Sequence, residues 1–365
     1  MLRGLPTAEE LENLPGFEDV SPSDEQRLAF GRAREAIAER LGTGYAASVE
    51  LGCVVRLDRG FPLVALEGRS LRAEHAVGFA KGAASRAGIL PTVGDWVAVA
   101  VPEGHDMGVI EEVLPRRCAF VRWRGGRRGE FQTLAANLDR VIVVAALGEG
   151  EVPLDRIARS LVIVRDCGAE PAVVLTKADR KDSAESLDAD VGRVRALVGD
   201  GCEVVVTSSA EGEGLEPVRA LVPAGSVAMI LGESGAGKST LLNALMGRDA
   251  LATGAVRARD DMGRHTTVAR MMVKVPGAGV ICDAPGLRSL PLVGHERGLA
   301  RAFPEIAELA ARCRFRDCTH GSEPGCAVRA AQEEGGLVEE RLAAYLSLAS
   351  EMRASARGLD PDVVI

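Results

Sequence analysis

A chain of 365 residues, 47% hydrophobic and 26% charged, is too long for one ordinary compact unit and has the balance of a soluble globular protein. No apolar run approaches the roughly 20 residues of a membrane span, and the opening MLRGLPTAEELENLPGFEDV lacks the apolar segment of a secretory signal, so no membrane association and a cytoplasmic location are expected. A net charge of −8 excludes a uniformly basic nucleic-acid binder but not a local basic face, and eight cysteines without an export signal point to thiols or metal ligands rather than disulfides.

Residues 1 to about 22 are acidic and contain prolines, which predicts a loose segment. From Ser23 to Leu41, Leu28, Ala33, Ile37 and Leu41 recur at helical spacing among charges, so residues 1–44 read as an acidic extension carrying one helix. Between Tyr45 and Arg128 short runs such as SVELGCVVRL, FPLVAL, WVAVAV and MGVIEEVL alternate with Gly, Pro and charged turns. That is the pattern of a small all-β barrel, assigned to 45–130. From Leu138 fully apolar runs (RVIVVAAL, PAVVLTKAD, CEVVVTSSA, SVAMILGES) are separated by stretches of helical periodicity. A parallel sheet covered on both faces requires this, which predicts an α/β domain at 131–297. Beyond Gly298, Leu299, Ala302, Phe303, Ile306 and Leu309 keep helical spacing, and a Cys/His cluster interrupts a helical region at 298–365. Cys53, Cys118, Cys167, Cys202 and Cys282 lie in apolar or mixed surroundings and read as buried or incidental thiols.

Gly232-Glu233-Ser234-Gly235-Ala236-Gly237-Lys238-Ser239-Thr240 matches the G-x-x-x-x-G-K-[ST] pattern, with the apolar run SVAMIL before it and STLLNALMG after it. The glycines let backbone N–H groups approach phosphate oxygens, and the following helix start adds positive potential. Lys238 is the expected partner of the β- and γ-phosphates, and the Ser239 hydroxyl a ligand of Mg²⁺.

A phosphate loop does not choose the base. Thr176-Lys177-Ala178-Asp179, ending the run PAVVL, resembles the N-K-x-D loop of GTPases, whose carboxylate accepts both hydrogen bonds from guanine; adenine has no donors there. Thr176 stands in place of Asn, so an amide contact to the purine or to the neighbouring loop is expected to be lost or weakened. Ser209-Ala210, after CEVVV, resembles the S-A loop that contacts guanine O6. Asp283-Ala-Pro-Gly286 matches a D-x-P-G loop, with Asp283 reaching Mg²⁺ through water and the Gly286 N–H meeting the γ-phosphate. Between these lies Gly263-Arg-His-Thr-Thr267, where Thr267 is a switch-type Mg²⁺ ligand. The base-recognition loops precede the phosphate loop, the reverse of an ordinary GTPase. Leu287 replaces the glutamine that would orient the attacking water, which makes His265 the candidate catalytic group.

Cys313-x₄-Cys318-x-His320-x₅-Cys326 brings three thiols and one imidazole within 14 positions, a closed tetrahedral zinc set with a structural role. Arg116, Arg117, Arg122, Arg124, Arg127 and Arg128, interleaved with Phe120 and Trp123, predict an RNA face on the β-rich module.

The permuted series TKAD, TSSA, GESGAGKST, GRHTT, DAPG, followed by C-x₄-C-x-H-x₅-C, resembles the ribosome small-subunit-dependent GTPase A (RsgA) family over roughly residues 45 to 350; PTVGDWVAV and VLPRR resemble its N-terminal module. The resemblance implies an OB-fold barrel, a circularly permuted P-loop GTPase domain and a helical zinc-binding domain. It also implies a role in late maturation of the small ribosomal subunit, with rRNA contacts and GTP hydrolysis to GDP stimulated by the subunit. Ala284 departs from the family's D-T-P-G, and the extension has no counterpart role. The chain is read as a monomer. Two other readings stay open: an RNA-binding factor whose nucleotide site is a sensor with negligible turnover, favoured by Leu287 and Thr176, and a P-loop ATPase should Asp179 not touch the base.

Overall fold

The computed structural model describes residues 13–42, 48–58, 61–76, 90–102, 106–124, 130–247, 270–283 and 291–359. Ser23 opens the first helix, α1 (Asp24–Leu41), with a reciprocal cap: its hydroxyl accepts the Gln26 N–H at 3.2 Å, and Gln26 Oε1 accepts the Ser23 N–H at 2.9 Å. Gln26, Ala29, Ala33 and Ile37 form the buried stripe, so Leu28 and Leu41 of the expected apolar line face solvent. Residues 13–22 correct the expectation of a loose segment. Val20 is buried, the Phe17 ring meets Trp96 edge-on at 5.5 Å, and Asp19 pairs with Lys274 at 2.7 Å. Residues 1–12 lie outside the described ones.

Strands β1 (Val49–Leu57), β2 (Pro62–Leu66), β3 (Arg69–His75), β4 (Trp96–Ala100) and β5 (Met107–Val113) pair in the order β1-β2-β3-β5-β4, and β4 returns to β1. The closed barrel is filled by Val54, Val64, Leu66, Ala73, Val97, Val99 and Ile110. Strands β6 (Ala119–Arg124) and β7 (Glu130–Ala136) form a separate two-stranded sheet, so Arg122 and Arg124 of the arginine run sit on a strand outside the barrel.

The α/β domain holds β8 (Arg140–Ala146), β9 (Glu170–Thr176), β10 (Glu203–Val206), β11 (Val227–Gly232), β12 (Arg270–Lys274) and β13 (Val280–Asp283), in the order β10-β9-β8-β11-β13-β12. All pairs are parallel except β12 with β13. Alternate residues feed two cores: Val141 and Val143 pack on one face, Ile142 and Val144 on the other. That two-sided burial is why these strands read as unbroken apolar runs. β1 also pairs with β12, which makes barrel and domain one 11-stranded sheet. The helices here are α2 (Leu154–Cys167), α3 (Ala184–Val198), α4 (Leu215–Ala220) and α5 (Lys238–Met246).

The C-terminal helices are α6 (Glu296–Ala302), α7 (Pro304–Ala310), α8 (Ala327–Glu333) and α9 (Glu339–Leu359). Arg341 of α9 ties them to α3, donating to the Leu197 carbonyl at 2.7 Å and the Ala302 carbonyl at 2.9 Å while forking onto Glu305. Glu351 of α9 pairs with Arg159 of α2. Among the described residues no helix is long and apolar enough to cross a membrane.

Candidate functional site

In a parallel sheet the loops after the strands gather at the carboxyl edge, where open α/β sheets bind ligands. Here the register sets Ala146 beside Thr176, Val206 beside Leu175, Gly232 beside Val144 and Asp283 beside Ile230. The base-type loops after β9 and β10, the phosphate-type loop after β11 and the start of D-A-P-G after β13 therefore emerge along one edge.

The phosphate-type loop runs from Gly232 into the first turn of α5. Gly237 adopts φ +89°, and a Cβ there would lie 3.2 Å from Thr176 Oγ1, so both conformation and space select glycine. Lys238 is 8% exposed; its ammonium donates to the Gly232 carbonyl at 2.7 Å and the Glu233 carbonyl at 2.5 Å, curling along the loop. Ser239 and Thr240 follow in the first turn of α5, where backbone N–H groups have no partners within the helix. Ser239 is the second residue of α5, and Asp283 ends the strand beside β11. A hydroxyl and a carboxylate are the hard oxygen donors that suit Mg²⁺. His265, Thr267, Ala284, Gly286 and Leu287 lie outside the described residues.

The loop after β9 is bound directly to the phosphate-type loop. Thr176 Oγ1 donates to the Ala236 carbonyl at 2.7 Å, and Lys177 Nζ donates to the Gly235 carbonyl at 2.6 Å. The loop contact expected to weaken with threonine is thus made by its hydroxyl. Lys177 takes a left-handed conformation (φ +61°), and Ala178 begins a 3₁₀ turn that carries Asp179. Behind it, the buried Lys181 pairs with Asp190 at 2.7 Å and donates to the Gly148 carbonyl at 3.1 Å.

Asp179 is oriented by Ser208, whose hydroxyl donates to Oδ1 at 2.6 Å. Ser208 is 1% exposed and directly precedes Ser209 and Ala210, the pair to which the S-A pattern points. Thr207 Oγ1 donates to the Glu213 carbonyl at 2.6 Å and closes that loop. The run of consecutive hydroxyls in TSSA was the available signal; which one faces Asp179 depends on where β10 ends.

Cys313, Cys318, His320 and Cys326 converge, their ligand atoms all within 4.8 Å of one another. Cys313 Sγ is 3.9 Å from Cys326 Sγ, and His320 Nδ1 lies 3.6 and 3.5 Å from those two sulfurs. A zinc tetrahedron with roughly 2.3 Å sulfur and 2.0 Å nitrogen bonds has edges near 3.7 and 3.5 Å, so the residues fit that ion. Burial lowers the His320 pKa and favours the neutral, ligating imidazole. Cys326 is the N-cap of α8, its sulfur accepting the Arg329 N–H at 3.5 Å. Glu323 holds the loop by accepting the Thr319 N–H at 2.8 Å and the Gly321 N–H at 2.7 Å.

The arginine run divides. Arg116 turns inward, its guanidinium forked onto Asp95 at 2.7 and 2.6 Å with exposures of 13% and 0%, so it does not join an exposed basic face. The cost of burying Asp95 raises its pKa although Arg116 opposes this. Arg117 pairs with Asp139 at 2.9 Å and stays partly exposed, and Arg122 reaches Gln132 on the facing strand. β6 carries Trp123 and Arg124, whose side chains lie outside the described ones, as do Arg127 and Arg128 altogether. Of the five scattered thiols, Cys53, Cys118 and Cys282 are buried and Cys167 and Cys202 half-buried.

The family model for RsgA GTPase matches residues 113–293. The chain is 45% identical over 307 residues to the small ribosomal subunit biogenesis GTPase RsgA of Streptomyces avermitilis, covering 82% of this chain and 79% of that protein. The crystal structure of YjeQ from Thermotoga maritima superposes with a TM-score of 0.64 at 25% identity, over 84% of this chain and 99% of that one. YloQ, described as a circularly permuted GTPase, superposes at 0.62 with 23% identity, over 84% and 96% of the two chains, a likeness of fold.

Proposed function

The chain belongs to the RsgA GTPase family, a family of GTP hydrolases, and we propose that it hydrolyses GTP on the small ribosomal subunit during late maturation, with the subunit stimulating turnover. Guanine is recognised by Asp179, held by Ser208, with Thr176, Lys177, Ala178, Ser209 and Ala210 framing the base. The triphosphate lies along Gly232–Thr240, and the Gly286 N–H meets its γ-phosphate. Ser239, Thr267 and Asp283 are the groups for Mg²⁺, which when bound neutralises charge on the β- and γ-phosphate oxygens. His265 orients the attacking water. Zinc at Cys313, Cys318, His320 and Cys326 is structural, with no open position for chemistry. The proposed rRNA contacts are Arg117, Arg122, Trp123, Arg124, Arg127 and Arg128, on a monomer acting in the cytoplasm. The functional units are the extension 1–44, the barrel module 45–130, the GTPase domain 131–297 and the zinc-binding unit 298–365.

The observation that carries this reading is the pair of bonds from Thr176 to Ala236 and from Lys177 to Gly235, which couples a base-type loop to a phosphate-type loop although the chain order is reversed. The test is GTP hydrolysis with and without purified small subunits over a salt series, with ATP as competitor. Stimulation that fades with salt and is unaffected by ATP supports it. Leu287 favours a second reading, a nucleotide sensor with negligible turnover; GTP binding without stimulated hydrolysis would select that one.

A further inference from the structure

Hydrolysis as proposed above leaves one requirement open. Charge grows on the γ-phosphate oxygens in the transition state, and GTPases of the P-loop class meet it with an arginine as well as the loop lysine. Among the described side chains Lys238 is the cation assigned to that end of the site, beside the proposed Mg²⁺, and Leu287 is apolar where a polar group is usual.

Arg156 stands beside the same loop. It lies in the first turn of α2, and its guanidinium pairs with the carboxylate of Glu233, the second residue of the phosphate-type loop. The backbone there is anchored: Ile157 is buried, and Ser160 Oγ donates to the Arg156 carbonyl at 2.8 Å. The side chains are not. Arg156 is 61% and Glu233 48% exposed, so their pairing is weak and exchanged at little cost. A cavity of about 290 Å³ opens between α2 and the loop, lined among others by Arg156, Ile157, Ser160, Glu233, Ser234 and Gly235. The guanidinium therefore has a fixed root, a weak partner and space along the loop.

We propose that Arg156 is an internal arginine for hydrolysis, which exchanges the Glu233 carboxylate for γ-phosphate oxygens when GTP occupies the site. Glu233 then acts as a brake that holds the arginine off the phosphate. A guanidinium suits this because it stays charged and offers a planar fork matching two phosphate oxygens. In the step itself, the water oxygen bonds to the γ-phosphorus and the bond from that phosphorus to the bridging oxygen breaks. GDP leaves with the electron pair, and the water's proton ends on the released phosphate. Arg156 neither gives nor takes a proton.

The inference rests on the GTPase reading, and the experiment separates the two. Single-turnover GTP hydrolysis, binding of fluorescent GTP and GDP, and capture of GDP with aluminium fluoride are measured on the full chain with Mg²⁺. Arg156→Ala is expected to slow the single turnover about 100-fold and abolish aluminium fluoride capture, with GTP and GDP affinities within about threefold of wild type. Arg156→Lys recovers part of the rate, because an ammonium cannot fork. Glu233→Gln, which releases the arginine, speeds hydrolysis several-fold. Wild-type turnover and capture in Arg156→Ala would overturn the proposal, as would equal losses of GTP affinity, GDP affinity and rate, which mark a purely structural role. A wild-type chain that binds ATP as tightly as GTP is a different failure, that of the nucleotide assignment itself.

Discussion

Ser208 Oγ donates to Asp179 Oδ1 at 2.6 Å, from a serine almost fully buried beneath the loop it organises. The bond fixes the plane of a carboxylate whose proposed task is to accept two parallel hydrogen bonds. Ser208→Ala leaves that carboxylate to rotate and is expected to weaken GTP binding about tenfold, the worth of one hydrogen bond to a charged group. ATP binding should not move, since adenine offers Asp179 no donor. The check is competitive binding of both nucleotides to wild type and variant. Parallel losses would mean that Ser208 supports only the fold of the loop.

The site was legible where chemistry demands a residue type at fixed spacing. Gly237, Lys238 and Ser239 follow from phosphate geometry, and Cys313, Cys318, His320 and Cys326 from a tetrahedron of ligands. What depended on register or packing was not legible. Ser208 and Ser209 are equivalent in composition, and only the end of β10 decides which faces Asp179. Arg116 looked like its neighbours in an arginine run, yet Asp95, 21 residues earlier in sequence, draws it inward. The inward face of α1 turned on the small residues Ala29 and Ala33 and on Gln26, whose amide finds Pro115 and Asn137, and Leu28 was left outside. The permuted order of the loops followed from the motifs, whereas the β1–β12 pairing that fuses barrel to domain has no motif to announce it.

The Asp95–Arg116 pair gives a stability prediction. Asp95→Ala strands a nearly buried guanidinium and is expected to cost about 3–5 kcal/mol, because removing one partner of a buried pair leaves the other charge uncompensated. The double variant Asp95→Ala/Arg116→Met should recover much of the loss. Burial raises the folded-state pKa of Asp95 above 3.8, so the folded chain holds that proton more tightly than the unfolded one. Its stability contribution is therefore full below 3.8 and falls as the pH rises through the raised value. Asp95→Asn should flatten that part of the pH profile. Urea unfolding across pH checks both points, and a double variant as unstable as the single one would refute the pairing argument.

Removing zinc is predicted to act on the C-terminal helices rather than on the nucleotide site. The ligand loop joins α7 to α8 and has no apolar core of its own, whereas α9 remains bolted to α2 and α3 through Glu351 and Arg341. A strong chelator, or Cys318→Ser, should release one equivalent of zinc, lower Tm by several degrees and cost the helicity of α8, while GTP affinity stays within about threefold. Metal analysis, circular dichroism and nucleotide titration of the same sample test this together. A chain that purifies with no zinc and is indifferent to chelation contradicts it.

Two glycine-to-alanine changes should have opposite signs. Gly298 lies where α6 crosses α2, and a Cβ there would stand 2.3 Å from the Val162 carbonyl oxygen and 2.6 Å from Asp166 Cβ. The oxygen is backbone and cannot turn aside, and His295 pins the start of α6 to Asp166 at 2.9 Å, so the helices must part. Gly298→Ala is expected to destabilise by about 2–3 kcal/mol, the cost of overpacking a close contact. Gly192, within α3, has nothing within 4 Å of its would-be Cβ. There alanine meets no obstacle and reduces the freedom of the unfolded chain, so Gly192→Ala should stabilise by about 0.5–1 kcal/mol. Because both substitutions add the same methyl group to a helix, intrinsic propensity cancels between them, and the difference reports the α6–α2 crossing alone. Denaturant unfolding of the two variants side by side decides it: stabilisation by both would show that α6 can move off α2 without loss.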